Sequence, residues 1–339
     1  VLTQNDLSET LKIDIDDRPL LRKILVCLVA EAIAVGGFAY MGGDLTGTAL
    51  GVSALTGVST HIIAPIWGLC IMVLLSFAGD ALKYLEKLLA VCVVVMCIVF
   101  LITMIVVQPN LGELFGGLVP HIPEGSLMTC LALIGTTVVP YNMFLHAASA
   151  KRTWHSAEEL PLVAFGTNIP MIIGGIVTGA ILITSAAVMQ GMTVKNAMDM
   201  AVQLQPTLGD FAQSFMAVGL VAAGISSAVC TPMGVSYVLA GLWGWKTDRS
   251  DKRFVITNAA VLVTGIVISA FGFNPIALIM TAQAVNGIVL PVVVGVTVYL
   301  TCSKKIMGEF TNSTLQTALG WIIFLISLYL GLSSVISLF

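Results

Sequence analysis

Residues 135–146 read Gly-Thr-Thr-Val-Val-Pro-Tyr-Asn-Met-Phe-Leu-His, inside an otherwise apolar stretch. Proline has no N–H, so Pro140 cannot bond the carbonyl four residues back, at Thr136. In lipid a free carbonyl is costly unless it lines a cavity or meets a cation. Tyr141, Asn142 and His146 add polar groups just past the break. A broken helix with polar groups at mid-membrane depth is how a transporter's substrate site is commonly built. Residues 127–150 therefore read as a broken substrate-site helix.

The surrounding composition agrees. The chain of 339 residues is 58% hydrophobic and 10% charged, with a mean hydropathy of +1.01. A soluble domain carries about 25% charge, so the expected class is an all-α polytopic membrane protein. Apolar spans are read near 24–56, 58–79, 88–107, 127–150, 161–190, 211–242, 254–272, 275–301 and 315–339. Each reaches the length of about 20 residues that a crossing needs. Residues 108–126 form the longest connection and hold neither Lys nor Arg. The seven cysteines lie within or at the ends of apolar spans without a Cys-x-x-Cys pair, and read as small packing residues. No basic patch interleaved with aromatics points to nucleic acid. The first residue is Val1, which raises the expectation that the chain is part of a longer one.

Charge orders the spans. Lys12, Arg18, Arg22 and Lys23 precede the first, and Lys83 and Lys87 follow the second. Lys151 and Arg152 follow the fourth; Lys246, Arg249, Lys252 and Arg253 follow the sixth; Lys304 and Lys305 follow the eighth. With nine alternating spans these 14 fall on one side and Lys195 alone on the other. Basic residues mark the cytoplasmic side. Residues 1–23 become a cytoplasmic segment, Phe339 lies outside, and 1–339 is one transmembrane domain. A bacterial inner (plasma) membrane and a monomer are expected, with the lipid bilayer as the chief partner.

Glu31 and Asp44 are the carboxylates well inside a span, and such groups are functional candidates by default. Glu31 reads equally as the hydrated end of a long helix. Asp44 follows two glycines and suits either ion passage or helix pairing. Gln283 and Asn286 lie three apart and share a helix face, so they reach a central ion or pair with each other. His146 is a lone histidine, for which a structural hydrogen bond is the commoner use. Ser226, Ser227, Cys230 and Thr231 form a helix-contact pattern of small polar residues.

Several of these segments resemble one family. Pro140-Tyr141-Asn142-Met143-Phe144-Leu145-His146 resembles the Met-Pro-His-Asn-Leu-Tyr-Leu-His motif of Nramp divalent-metal transporters. Ala222-Ala223-Gly224-Ile225-Ser226-Ser227 is similar to the family's Ala-Gly-Gln-Ser-Ser segment. Gln283-Ala284-Val285 with Leu290-Pro291 resembles its Ser-Gln-Val and Leu-Pro helix, and Met307-Gly308-Glu309-Phe310 its Met-Gly-Glu-Phe loop. The resemblance implies a LeuT-type fold of two inverted five-helix repeats. It further implies that the nine spans correspond to the family's helices three to eleven. The Asp-Pro-Gly-Asn motif of the family's first helix, which supplies half of its metal site, is absent.

Three departures from the family bear on the cargo. Val139 stands where the family has a methionine, a soft thioether ligand, and Tyr141 where it has a histidine. Oxygen ligands suit Mg²⁺, which keeps several of its waters. The pattern resembles the Nramp-related magnesium branch. The resemblance then makes Thr136 (through its carbonyl), Asn142 and Gln283 the expected ion-contacting residues. Val139, Pro140, Tyr141, His146 and Asn286 are the expected lining. The family's third helix carries Asp-Leu-Ala-Glu, linked to proton movement. Alignment puts Asp44 at its Glu and Met41 at its Asp, or Gly47 at the Glu, so one carboxylate is missing either way. Lys252 and Arg253 match a basic pair of the family's ninth helix. Glu31, Asp44, Lys252 and Arg253 are thus the candidates for a proton or ion path.

The expectation is a transporter that imports Mg²⁺, with Mn²⁺ as a further substrate, by alternating access and without proton coupling. It needs no cofactor and is not an enzyme. The alternative is a proton-coupled Mn²⁺/Fe²⁺ transporter. An intramembrane hydrolase using Ser226 or His146 lacks any Gly-x-Ser-x-Gly or His-Glu-x-x-His motif. A non-transporting scaffold or receptor is the remaining rival.

Overall fold

A computed structural model describes residues 1–77, 81–117, 119, 122–248 and 250–336. Arg249 and Phe339 lie outside the described residues, as does the side chain of Lys83. Every regular element among the described residues is helical. In chain order they are α1 (Leu7–Asp14), α2 (Pro19–Thr56), α3 (Thr60–Phe77), α4 (Ala81–Val107), α5 (Leu111–Gly116), α6 (Leu127–Thr137), α7 (Pro140–Thr153), α8 (Leu160–Val188), α9 (Ala197–Ala201), α10 (Gln205–Leu208), α11 (Ala212–Trp243), α12 (Lys252–Ala270), α13 (Pro275–Cys302), α14 (Lys304–Met307) and α15 (Thr314–Ile336).

Eight helical stretches among the described residues are long and apolar enough to cross a membrane. They follow the expected spans, with α6 and α7 together making one. The expected second span is the exception. The 18 residues of α3 rise about 27 Å, just short of a hydrocarbon core of about 30 Å. At 38 residues α2 is far longer than a crossing needs and must tilt or project from the bilayer.

The bundle is built around α2, which packs on α11, α13, α12 and α3. Its buried residues run through the whole middle of the helix, from Val29 to Gly51, because neighbours cover it on several faces. Small residues permit this. A Cβ on Gly224 of α11 would lie 2.7 Å from the Thr48 nitrogen of α2, closer than any side chain allows. In lipid such close backbone packing, rather than water exclusion, holds helices together. The main core joins Ile33, Met41 and Leu45 of α2 to Val139 and Phe144 at the break and to Val235 and Leu262 of the neighbours.

Polar contacts show that the basic helix ends share one end of the bundle. Lys151 at the end of α7 reaches Glu9 of α1 at 2.6 Å. Ser303 after α13 donates to Asp14 at 2.7 Å, and Lys305 donates to the Asp14 carbonyl at 2.9 Å. Arg152 reaches Tyr237 and Thr247 at the end of α11. The Arg152 guanidinium also lies 4.8 Å from the ring centre of Tyr237, and that of Arg253 lies 5.2 Å from the ring centre of Trp245. The N-terminal segment is not a loose tail. Asp6 and Glu9 form a capping box around the start of α1, and Leu11 and Ile15 are fully buried.

Candidate functional site

The helix that contains Pro140 is interrupted where the sequence requires it. Helix α6 ends at Thr137, Val138 and Val139 are non-helical, and Pro140 is the first residue of α7. Proline is well suited to that first position, where its missing N–H costs nothing. The last turn of α6 still closes through Val138 N–H to the Ile134 carbonyl at 3.2 Å. The carbonyl of Thr136, four before the proline, has lost its helical donor.

Helix α6 meets α13 with almost no space between backbones. A Cβ on Gly135 would strike the Gln283 carbonyl oxygen and come within 2.6 Å of the Gly287 nitrogen. In return, a Cβ on Gly287 would lie 2.6 Å from the Leu131 carbonyl oxygen. This contact sets Gln283 beside the break.

A second polar group of residues lies on α2 and α11. The Thr231 hydroxyl donates to the Asp44 carboxylate at 2.7 Å and itself meets the Tyr141 hydroxyl at 2.7 Å. Asp44, Thr231 and Tyr141 are all buried. Tyr40, one turn before Asp44 on the same face of α2, packs edge-on against Tyr141 with ring centres 6.0 Å apart. The Tyr40 hydroxyl lies beside Gln283, Thr136 and Ser227, so it links the break, α13 and α11. Tyr40 and Thr231 are neighbours of the expected site residues that sequence reasoning missed or read only as packing. The spacing Tyr40-x-x-x-Asp44 was the available signal, since it puts both side chains on one helix face.

The other expected site residues are distributed as follows. Val139, Pro140 and Tyr141 are buried at the break, while Thr136, Asn142 and His146 are exposed in this structure. His146 lies 3.3 Å from the Thr167 hydroxyl on α8. Asn286 is fully buried, and its Oδ1 points at Gly36 of α2 rather than at the break. Glu31 is exposed and makes no ion pair among the described residues. Lys252 and Arg253 are exposed at the start of α12, and Arg253 is paired with Asp251 at 2.7 Å. Neither is near Asp44. The turn of α2 before Asp44 packs on Gly265 and Ile268, about 20 Å further along α12.

The electrostatics of the charged end are set by local pairs. The Arg253 guanidinium holds the Asp251 carboxyl far below its usual range. Partial burial pushes Glu9 up, but the Lys151 ammonium and the Asp6 N–H outweigh it and hold Glu9 below its ordinary value. Burial raises Asp6 despite its bond from the Glu9 N–H. Among the described residues no three His, Cys, Asp or Glu side chains converge as a metal cage. What the break offers an ion is oxygen from carbonyls, amides and hydroxyls.

Comparison with known proteins now places the chain. The family model described as "natural resistance-associated macrophage protein-like" (Nramp) matches residues 1–337. A protein named divalent metal cation transporter MntH from a Nostoc species is 27% identical over 301 residues, which are 83% of this chain and 67% of the relative. The MntH of Levilactobacillus brevis is 24% identical over 311 residues, covering 85% of this chain and 68% of the relative. The chain thus spans about two thirds of the length of these curated relatives. Crystal structures of a manganese transporter from Eremococcus coleocola superpose with a TM-score of 0.74 at 20% identity, covering 98% of this chain and 74% of that one. The fold is therefore that of a multi-pass LeuT-like transporter, and the relatives are transporters rather than enzymes. With its helix broken at Pro140 and a match along nearly its whole length, the chain belongs to the Nramp family.

Proposed function

We propose that this chain is a divalent-metal importer that works by alternating access, prefers Mg²⁺ and admits Mn²⁺. Transport of a divalent metal follows from the family and from the names its relatives carry. The metal is cargo, not a cofactor.

The preference rests on one observation. The helix opens at Val138 and Val139, and the residue in front of Pro140 carries no sulfur. An ion at this opening meets the Thr136 carbonyl and the amides of Asn142 and Gln283. Oxygen donors of that kind suit a hard cation. A valine also leaves room for the waters that Mg²⁺ sheds reluctantly. In this reading Asn142 and His146 face the open side of the break, and Gln283 supports it from α13. Import without proton coupling draws support from Asp44. It is held by Thr231, and no second carboxylate or basic side chain contacts it among the described residues.

The test is uptake by the full-length protein in proteoliposomes that contain a pH dye. Mg²⁺ entry that Cd²⁺ inhibits weakly, without acidification, is the expected result. The rival reading, a proton-coupled Mn²⁺ transporter, is favoured by the buried run Tyr141–Thr231–Asp44, which has the form of a proton relay. Proton influx in fixed ratio to metal would establish that rival.

A further inference from the structure

Asn286 is fully buried, yet neither its Oδ1 nor its Nδ2 has a hydrogen-bond partner. One turn away, the Oε1 of Gln283 is also buried and unpaired. Each such group costs about 1–3 kcal/mol, and no water is at hand in the hydrocarbon core to relieve it. A leucine at 286 would fill a similar volume without that cost. The amide therefore needs a partner in some other arrangement of the helices.

The geometry indicates which partner. Asn286 and Gln283 occupy the α13 face turned to α2, where Gly36 presents no side chain. A Cβ on Gly36 would sit 2.7 Å from Asn286 Oδ1, so the two helices touch at this level. Helix α13 ends at Cys302 beside the basic cytoplasmic cluster. Asn286 thus lies about 4.5 Å nearer the cytoplasm than Gln283. Two of the three unpaired atoms are amide oxygens, which only accept. Waters bound to a divalent cation turn their hydrogens outward and only donate. The neighbouring Nδ2, a donor, disfavours direct contact with a bare cation.

We propose that Asn286 is a binding residue for the hydrated cation, one step inward from Gln283. When α2 and α13 part, Asn286 Oδ1 accepts a hydrogen bond from the ion's water shell. This rests on the transport reading above and adds a specificity residue to it. A strongly hydrated ion such as Mg²⁺ gains from this step. A softer ion that sheds water easily gains little.

The experiment compares Mg²⁺ and Cd²⁺ uptake by full-length wild type, Asn286→Leu and Asn286→Asp in proteoliposomes, with melting temperatures of each. Asn286→Leu should lower Mg²⁺ uptake about tenfold, equivalent to roughly 1.4 kcal/mol, and change Cd²⁺ uptake much less. Its melting temperature should equal or exceed that of wild type. Asn286→Asp, which keeps the acceptor oxygens, should retain Mg²⁺ uptake. An equal loss of both ions, or a lower melting temperature for Asn286→Leu, would make Asn286 a structural residue and overturn the inference. So would wild-type Mg²⁺ uptake by Asn286→Leu. Absence of uptake by wild type itself would instead remove the transport reading on which the inference stands.

Discussion

Gly135→Ala tests the contact that holds the break in place. The new methyl would lie 2.6 Å from the Gly287 nitrogen, against at least 3.4 Å for ordinary contact, and closer still to the Gln283 carbonyl. Both obstacles are helix backbone, which cannot rotate away. Helix α6 must therefore withdraw from α13 by about 1 Å, and a gap of that size forfeits up to half of each dispersion contact it opens. The loss falls on the small cluster of Leu131, Ala132, Ala284 and Leu330. Overpacking of this kind costs about 3 kcal/mol. At roughly 2 °C per kcal/mol for a large domain, the melting temperature should fall by about 6 °C. Gly287→Ala should cost less, since two of its three close neighbours are atoms of the Leu131 side chain, which has other rotamers. Because both substitutions push apart the same helices, the double variant should lose less than the sum of the two. Melting curves of the purified protein in detergent provide the measurement. A Gly135→Ala protein that melts within 1 °C of wild type would show that the helices are not in this contact, and the placement of Gln283 beside the break would go with it.

Other perturbations probe selectivity, charge and topology. Val139→Met should shift competition toward Cd²⁺ over Mg²⁺ by about tenfold, because a thioether favours softer ions; an unchanged ratio in an active variant would mean that position 139 does not meet the ion. Asp44→Asn keeps an acceptor for Thr231 and cannot ionise. Metal uptake should keep its pH dependence in this variant, and a flattened pH profile would point to proton coupling. Glu9 is held below its usual value, so its contribution to docking α1 is present above the free carboxyl range and is lost as pH falls through the lower folded value. Glu9→Gln should accordingly cost up to about 1 kcal/mol at neutral pH, as the Lys151 pair is partly exposed, and progressively less as pH falls below the free carboxyl range. Hydrogen exchange of the α1 amides would show whether that is so. Cysteines at 151 and 304 should resist impermeant reagents added outside whole cells while one at 195 reacts; the reverse pattern would invert the topology.

How much of this was legible in the sequence differs from residue to residue. Pro140 announced the break because one missing N–H has a fixed consequence, and the structure ends α6 within three residues of it. The charged helix ends were legible because basic residues avoid lipid wherever they occur. Orientation about a helix axis was not. Asn142 and His146 follow the break in sequence but are exposed, while Tyr40, unremarked on its apolar helix, lies next to Thr136 and Gln283. Lys252 and Arg253 could be matched to a family pattern by order alone. Only helix length shows them about 20 Å from the level of Asp44. Helix α1 escaped notice although Asp6-x-x-Glu9 is a capping signature and Leu7, Leu11 and Ile15 repeat every four residues. Its short length hid it among longer apolar runs.

That same helix has a mechanical consequence. Through Glu9 it grips the end of α7, through Ser8 the Val238 carbonyl of α11, and through Asp14 both Ser303 and Lys305 beyond α13. A crossbar fastened at three points does not let one strut slide alone. Any rearrangement that splays these basic helix ends must either carry α1 along as a rigid piece or shear all three fastenings together, so this end of the bundle is built to open in one concerted step rather than helix by helix.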